Sequence, residues 1–395
     1  MSGFLEKRAA ITGIGISEVG RRLERTGLQL TLDACLAAIA DAGLRPQDVD
    51  GLASWPGTPE RSPGMSPVGL MEVKESLGLE LSWFTAGGEA PSQISSVINA
   101  AAVVAAGYAR HVLCFRTVTE ASSQTRERRA SVSGAEGGRI SGDLQYQAAF
   151  RAMSAAQWIA MFAQRHFHEF GTTKEQLGWV ALNARRNAAL NPRAIFRDPL
   201  TMDDYLNARV ISTPFGLFDC DIPCDGSTAV LVSRVEEARD LRKPVLHIEA
   251  VGTAIHGRSS WDQFDDLTTM AARDSARMLW NRTDLTPGDV DVAELYDGFS
   301  FLTLAWLEAL GFCGRGESGP FVEGGARIAR EGELPLNTQG GQLSGGRLHG
   351  MGYLHEACCQ LWGEAGERQV AGELKLAAVG VGGGPVSGCM LVRRD

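Results

Sequence analysis

Apolar and polar positions along this chain follow two periods. The run Ala9–Ile16 is short, apolar and punctuated by glycine, as a buried strand would be. From Leu28 to Ala42 the apolar residues recur at helical spacing, with Leu32, Cys35, Leu36 and Ile39 on one face and Gly43 as the expected stop. Ile94, Val97, Ile98, Ala101, Val104 and Ala105 form a second helical face that Gly107 ends, and His111–Phe115 then reads as a strand. This strand–helix alternation predicts an α/β layered fold.

The same order returns in the second half. LRPQDVDGL at 44–52 resembles LTPGDVDVAEL at 285–295, with Pro46 and Pro287 lying 241 residues apart. Each follows a helix-compatible stretch, and before each helix stands a strand-like run, Ala9–Gly15 or Val245–Gly252. Gly87-Gly88 and Gly340-Gly341 follow 253 residues apart, each ahead of a helix-compatible segment and a strand, HVLCF or LKLAAVG. Four features in one order at nearly constant offset predict a duplicated βαβ-type unit. The expected division is 1–116 with 211–238 for the first half and 244–395 for the second. Residues 117–210 have no counterpart and read as an inserted loop or lid domain. They are polar and arginine-rich first, then helical in AAQWIAMFAQRHF and KEQLGWVALNARRNAAL. Asp225–Val232 reads as the turn and strand that return to the core.

Composition narrows the function classes. The chain has 395 residues, 44% hydrophobic and 22% charged, an ordinary globular balance. Its net charge of −9 repels a nucleic-acid backbone or an anionic membrane on average, so neither is the expected partner. No apolar stretch reaches the ~18 residues of a membrane span, and the N-terminus lacks the long apolar core of a secretory signal. The 8 cysteines are scattered. Cys358 and Cys359 are adjacent and Cys220 and Cys224 are four apart, neither of which is a zinc-ligand pattern. The expectation is a reduced, cytoplasmic protein without a metal site.

Several segments, each weak alone, together resemble the thiolase superfamily, on the branch of sterol-carrier-protein thiolases and thiolase-like lipid-transfer proteins. They are ITGIG at 11–15, DAGLRPQDVDGL at 41–52, the glycine pair and helix at 87–107, CDGSTAVLVS at 224–233, ELYDGFSF at 294–301, NTQGGQLSGGRLHG at 337–350 and VGVGGGPVSG at 379–388. The resemblance covers nearly the whole chain. It implies a thiolase fold, five-layered αβαβα with two pseudo-twofold related halves, and a homodimer through the central sheet edge.

The chain departs from that family at the sulfur. The slot of the thiolase nucleophile falls at Ala90, the second cysteine slot is filled by Gly380-Val381, and the thiolase histidine slot holds Arg347, with His349 two residues on. An acyl-enzyme thioester needs a thiolate, and neither slot supplies one. Cysteine-free relatives resembling this chain are the steroid side-chain aldolases. Their family pairs with a DUF35 protein, a zinc-ribbon and OB-domain partner, in a heterotetramer and cleaves a β-hydroxyacyl-CoA by a retro-aldol reaction. The resemblance thus implies coenzyme A as part of the substrate, with no covalently bound cofactor. Two alternatives stand beside it: an acetyl-CoA acetyltransferase type of enzyme using Glu89 or His349, and a non-catalytic subunit that binds lipid or CoA.

A retro-aldol step needs a base, an oxyanion site and an acid. Tyr296 can donate to an oxyanion, or shuttle a proton if its pKa is lowered. Asp297 can orient a water or that phenol, or cap a helix over Gly298–Gly311. His349, between glycines, would titrate near ~6.5 if unperturbed. Arg347 can anchor an oxyanion or a carboxylate, or close a loop salt bridge. Glu89, near a helix N-terminus, is favoured as a charged group there. Gly340, Gly341, Gly382, Gly383 and Gly384 let backbone N–H groups approach a thioester; their spacing is not the dinucleotide G-x-G-x-x-G. His256 reads as a pocket-wall or packing residue, and His166 and His168 as surface or packing residues. Arg126, Arg128 and Arg129 read as a solvated loop that can attract CoA phosphates.

Overall fold

The computed structural model describes residues 3–56, 63–87, 93–124, 144–152, 154–256 and 265–395. Glu89, Ala90 and the cluster Arg126, Arg128 and Arg129 lie outside the described residues.

The first half carries strands β1 (Ala9–Ile16), β2 (Gly51–Ser54), β3 (Trp83–Ala86) and β4 (His111–Thr119), with helices α1 (Gly27–Asp41), α2 (Leu70–Leu77) and α3 (Ser95–Ala106). Helices α4 (Glu120–Ser123), α5 (Leu144–Ala149), α6 (Ala155–Phe170), α7 (Lys174–Ala189) and α8 (Met202–Leu206) follow. A small hairpin, β5 (Val210–Ser212) and β6 (Phe215–Gly216), leads to β7 (Asp225–Arg234) and α9 (Val235–Ala238). The second half contains β8 (Leu246–Ile255), α10 (Ala272–Trp280), β9 (Val292–Leu295), α11 (Ser300–Ala309), α12 (Ser318–Val322), α13 (Gly350–Trp362), β10 (Leu376–Gly383) and β11 (Val386–Arg394).

The duplicated unit is visible in strand pairing. The strand order is β3-β2-β4-β7-β1-β8-β11-β10-β9. In the first half β2 pairs parallel to β4, which pairs antiparallel to β7, which pairs antiparallel to β1. In the second half β9, β10, β11 and β8 repeat that sequence of senses. The halves meet through a short contact of β1 with β8, at Ala10–His247 and Ile11–Leu246. The repeated Pro-Gln-Asp and Pro-Gly-Asp segments each form a 3-10 turn ahead of β2 or β9. Helices α3 and α13 share one apolar core with strands of both halves. Outside it, α1 and α2 cover the first half and α10 and α11 the second. This gives the five layers of the expected fold.

Glycine in the strands lets the outer helices approach. A Cβ on Gly15 would lie 2.0 Å from the Ala34 carbonyl oxygen of α1, and one on Gly252 would lie 2.0 Å from the Ser275 oxygen of α10. Close approach explains why α1 buries the small residues Ala34, Cys35 and Ala38. It also turns the expected face of α1: Cys35 and Ile39 are buried, whereas Leu36 is 45% exposed. The predicted stops hold, with Gly43 and Gly107 both at positive φ after their helices. Replacing Gly15 or Gly252 by Ala should cost about 3 kcal/mol of stability through overpacking against backbone. Gly288→Ala, whose Cβ would meet nothing nearer than 3.8 Å, should change stability by less than ~0.5 kcal/mol. Urea unfolding of the three variants checks the contrast.

Candidate active site

Four segments from distant parts of the chain meet at the seam between the halves. The loop ahead of β7 is stitched to both second-half loops: Asp221 N donates to Gly298 O at 3.1 Å, Ile222 N to Gln342 O at 3.1 Å and Arg347 N to Ile222 O at 2.8 Å. The end of β4 adds Arg116, and the start of α4 adds Glu120. Each of these two is buried.

Arg347 is the hub. Its Nε donates to Glu120 Oε2 at 2.8 Å and its Nη1 to Asp221 Oδ1 at 3.0 Å. Burial opposes its charge, but Asp221 and Glu120 outweigh that and push its pKa up. It is therefore a fixed cation, and of its two expected roles the structure shows the loop salt bridge. Its Nη2 makes no hydrogen bond to a described residue.

His349 begins α13 with φ +59° and ψ −162°, a backbone region costly for a side chain. Its N–H donates to Gln342 Oε1 at 3.2 Å, and its Nδ1 accepts from Arg116 Nη2 at 2.6 Å. A guanidinium only donates, so Nδ1 is the lone-pair nitrogen and Nε2 carries the hydrogen. Burial first, then Arg116 and Arg347, push its pKa well below the ordinary value. The expectation of a histidine titrating near neutrality is corrected: His349 is a neutral donor.

Tyr296 is half-buried beside this cluster. Burial first, then Asp221, raises its pKa above the ordinary phenol value. That corrects the idea of a lowered phenol pKa: Tyr296 is a proton donor held in its protonated form. Asp297 does not cap a helix. Helix α11 starts at Ser300 with Phe299 before it, and the Asp297 carboxylate instead accepts from Gln342 N at 2.6 Å and from Tyr353 Oη. Its Oδ2 finds no partner among the described residues. Burial raises its pKa to about 6 against the pull of Tyr353 and nearby backbone donors.

The glycines answer packing demands first. Gly341 has φ +57°, and a Cβ there would fall 1.9 Å from Asp297 Oδ2. A Cβ on Gly340 would meet Ala188 Cβ at 2.6 Å, and one on Gly383 would meet Leu302 at 2.6 Å. Gly382 O accepts from Trp306 Nε1 at 2.9 Å, and Gly384 O from Ala271 N at 2.9 Å. None of the five lines the larger cleft at the site. His256 binds Asp274 at 2.6 Å and Asp265 at 2.8 Å, away from that cleft. His166 is packed between Glu308 and Thr172.

That cleft encloses about 570 Å³ and is walled by Phe196, Phe218, Phe299 and Leu343, with Asp221 and Arg347 on its floor. Cys220 is on its wall, but its Sγ donates to Gly216 O at 3.6 Å. Burial, then Asp221 and Asp219, push its pKa up to about 12, so it is no thiolate. Behind the glycine-rich segment a narrow cavity of about 50 Å³ reaches Gln342, His349 and Tyr353. Near it, His355, Glu356 and Cys359 offer ligand atoms within 4.8 Å of one another. The Glu356 carboxylate is already held by Arg368 Nε and Nη2, each at 2.9 Å.

Sequence reasoning missed Asp221, Glu120, Arg116, Gln342 and Tyr353. Arg116 had a readable signal, as the one charge inside the apolar strand HVLCFRTVT. The others become neighbours only through the fold.

The frame defines a thiolase-fold protein, and its seam holds a cluster of ionisable side chains around Arg347. Residues 253–392 match the thiolase C-terminal domain-like family. The steroid side-chain-cleaving aldolase of Thermomonospora curvata is 36% identical over 392 residues, 97% of each chain. The 17-hydroxy-3-oxo-4-pregnene-20-carboxyl-CoA lyase of Mycobacterium tuberculosis is 36% identical over 408 aligned positions, 98% of this chain and 100% of that one. Among solved structures, the Ltp2-ChsH2(DUF35) aldolase superposes with a TM-score of 0.87 at 35% identity, over 99% of both chains. A monomeric SCP2-thiolase-like protein from Mycobacterium smegmatis shares the fold, with a TM-score of 0.71 at 18% identity, over 98% of this chain and 77% of that one. The chain belongs to the thiolase superfamily, in the lineage that holds these two lyases.

The raised pKa of Asp297 carries a stability signature. Because it lies above the ordinary carboxyl value of ~3.9, folding favours the protonated form. The stabilisation is complete below about pH 4 and is lost as pH rises through about 6. Asp297→Asn removes this step. The unfolding free energy of the variant relative to wild type should therefore shift in the variant's favour between pH 4 and 7. Urea titrations across that range test it, and a pH-independent difference would refute it.

Proposed function

We propose that this chain is an acyl-CoA-dependent carbon–carbon lyase that cleaves a β-hydroxyacyl-CoA by a retro-aldol reaction. The observation that carries this reading is the set of uncommitted polar groups at the seam. Arg347 Nη2 has no hydrogen-bond partner among the described residues, the Tyr296 phenol keeps its proton with Gln342 beside it, and the one thiol on the described cleft wall is held protonated.

In this reading the ester carbonyl oxygen sits against Arg347. The hydroxyl loses its proton and becomes a carbonyl. The Cα–Cβ bond breaks, and its electron pair forms a thioester enolate whose oxygen faces the guanidinium. Tyr296 returns a proton to the α-carbon. One proton is lost and one gained, so no oxidant or nucleophile is consumed. His349 and Asp297 are positioning groups: His349 fixes the start of α13 against Arg116, and Asp297 holds the glycine-rich segment. Glu89, near the lost nucleophile in sequence, is left without a role in this scheme.

The apolar cleft walls fit a bulky acyl group, and the names of the two lyase relatives favour a steroid side chain. The likeness to an aldolase solved with a DUF35 chain supports a DUF35 partner here. A homodimer through the sheet edge is supported by β3, which pairs with β2 and leaves Phe84 64% exposed. We divide the chain as its repeat does, into halves of 1–116 with 211–238 and 244–395, with 117–210 as the covering insertion.

The purified chain with its DUF35 partner should convert a β-hydroxyacyl-CoA to a ketone or aldehyde and a shortened acyl-CoA in equal amounts. Tyr296→Phe should lower kcat by about 10²-fold. Product analysis and intact-protein mass spectrometry check both points; a covalent acyl-enzyme, or no carbonyl product, would defeat the reading.

A further inference from the structure

Retro-aldol cleavage begins with removal of the substrate's hydroxyl proton, and the groups assigned above do not include a base. Arg347 is a fixed cation, Tyr296 holds its proton, and His349 has its lone pair committed to Arg116. Two carboxylates touch Arg347. Glu120 is sealed, with 3% of its side chain exposed, while Asp221 keeps 11%, and Asp221 lines the cleft. Only Oδ1 of Asp221 is engaged, by Arg347. Its Oδ2 has no hydrogen-bond partner among the described residues and is not sealed, on a residue that lines the cleft.

Resting on the lyase reading, we infer that Asp221 is the general base, taking the β-hydroxyl proton on Oδ2 while Arg347 holds its other oxygen. Its position is rigid because its own N–H is bonded to Gly298 and the next residue's to Gln342. The neighbouring carbonyls fix the loop between the Tyr296 segment and the glycine-rich segment, so Asp221 and Arg347 line one cleft with Tyr296 close behind them.

The groups facing Asp221 set when it can accept a proton. Burial raises its pKa most, Arg347 lowers it, and Glu120 and Asp297 raise it, for a value of about 7. Tyr296, Cys220 and Cys224 also feel its charge, all held in their protonated forms by burial. One guanidinium thus serves two carboxylates, and the less buried of them, Asp221, borders the cleft where it can exchange its proton with substrate. The O–H bond electrons form the carbonyl; as products leave, Asp221 releases its proton to solvent and the Tyr296 phenolate takes one up, which restores the resting state.

The experiment uses the chain with its DUF35 partner. In wild type, kcat/KM should rise with pH through about 7 and level off above it, as the carboxylate form appears. Asp221→Asn should lower kcat by about 10²- to 10⁴-fold, erase that rising limb, and leave KM within a few-fold. Arg347 keeps Glu120 in this variant, and circular dichroism should match wild type. Asp221→Glu should recover part of the rate and restore the limb. An active wild type beside an Asp221→Asn variant of similar rate and unchanged pH limb would overturn the assignment of Asp221 alone. A wild type that releases no carbonyl product would overturn the lyase reading and this assignment together.

Discussion

Arg347 places one positive charge between two carboxylates drawn from different parts of the chain. Glu120 follows a first-half strand, Asp221 precedes the strand that completes that half, and Arg347 itself comes from the second half's glycine-rich segment. Removing the guanidinium would leave two buried carboxylates facing each other without a counter-ion, a change of several kcal/mol. The remaining polar contacts of the seam radiate from this group. The Arg347 backbone N–H secures Ile222, and the same segment carries Gln342 to Asp297 and His349 to Arg116.

This charge arrangement accounts for chemistry without sulfur. A nucleophilic thiolate needs positive surroundings. Here Glu120, Asp221 and Asp297 gather at the seam around Arg347, while burial first, then Asp221 and Asp219, holds the proton on Cys220. The same surroundings suit proton transfer. Burial raises the pKa of Asp221, Asp297 and Tyr296, with Glu120 and Asp297 adding to the effect at Asp221, so neighbouring acidic groups are set to different proton affinities by environment.

What was legible in the sequence was what repeats. The Pro-x-Asp turns, the strand–helix order and the stopping glycines are local patterns, and the structure follows them at β2 and β9, α1 and α10. Leu36 was misplaced because the helix face was read from size, whereas Gly13 and Gly15 draw α1 in on its alanine side. Tyr296, Asp297, Arg347 and His349 do gather at the seam, but their states were not readable, since pKa depends on neighbours brought from elsewhere. Asp297 sits before a helix as a cap would, yet its oxygen is taken by Gln342 N and Tyr353 Oη. Asp221 stands in LFDCDIPCDG, an ordinary acidic loop until Gly298 and Gln342 close around it.

The duplicated frame also shows where the two halves differ at equivalent strand ends. Strand register aligns Leu52 with Leu113 in the first half and Ala293 with Ala378 in the second, which sets Phe115-Arg116-Thr117 of β4 against Gly380-Val381-Gly382 of β10. In β4 the middle residue is a buried cation that holds His349. In β10 the flanking glycines admit the Trp306 ring, which a Cβ on Gly380 would approach to 2.8 Å. One copy of the strand end therefore delivers charge to the seam, whereas its counterpart Val381 turns an apolar side chain to the start of α13 beside Gly350. Chemistry arises where the two copies have diverged, while the backbone pairing that positions them has stayed the same.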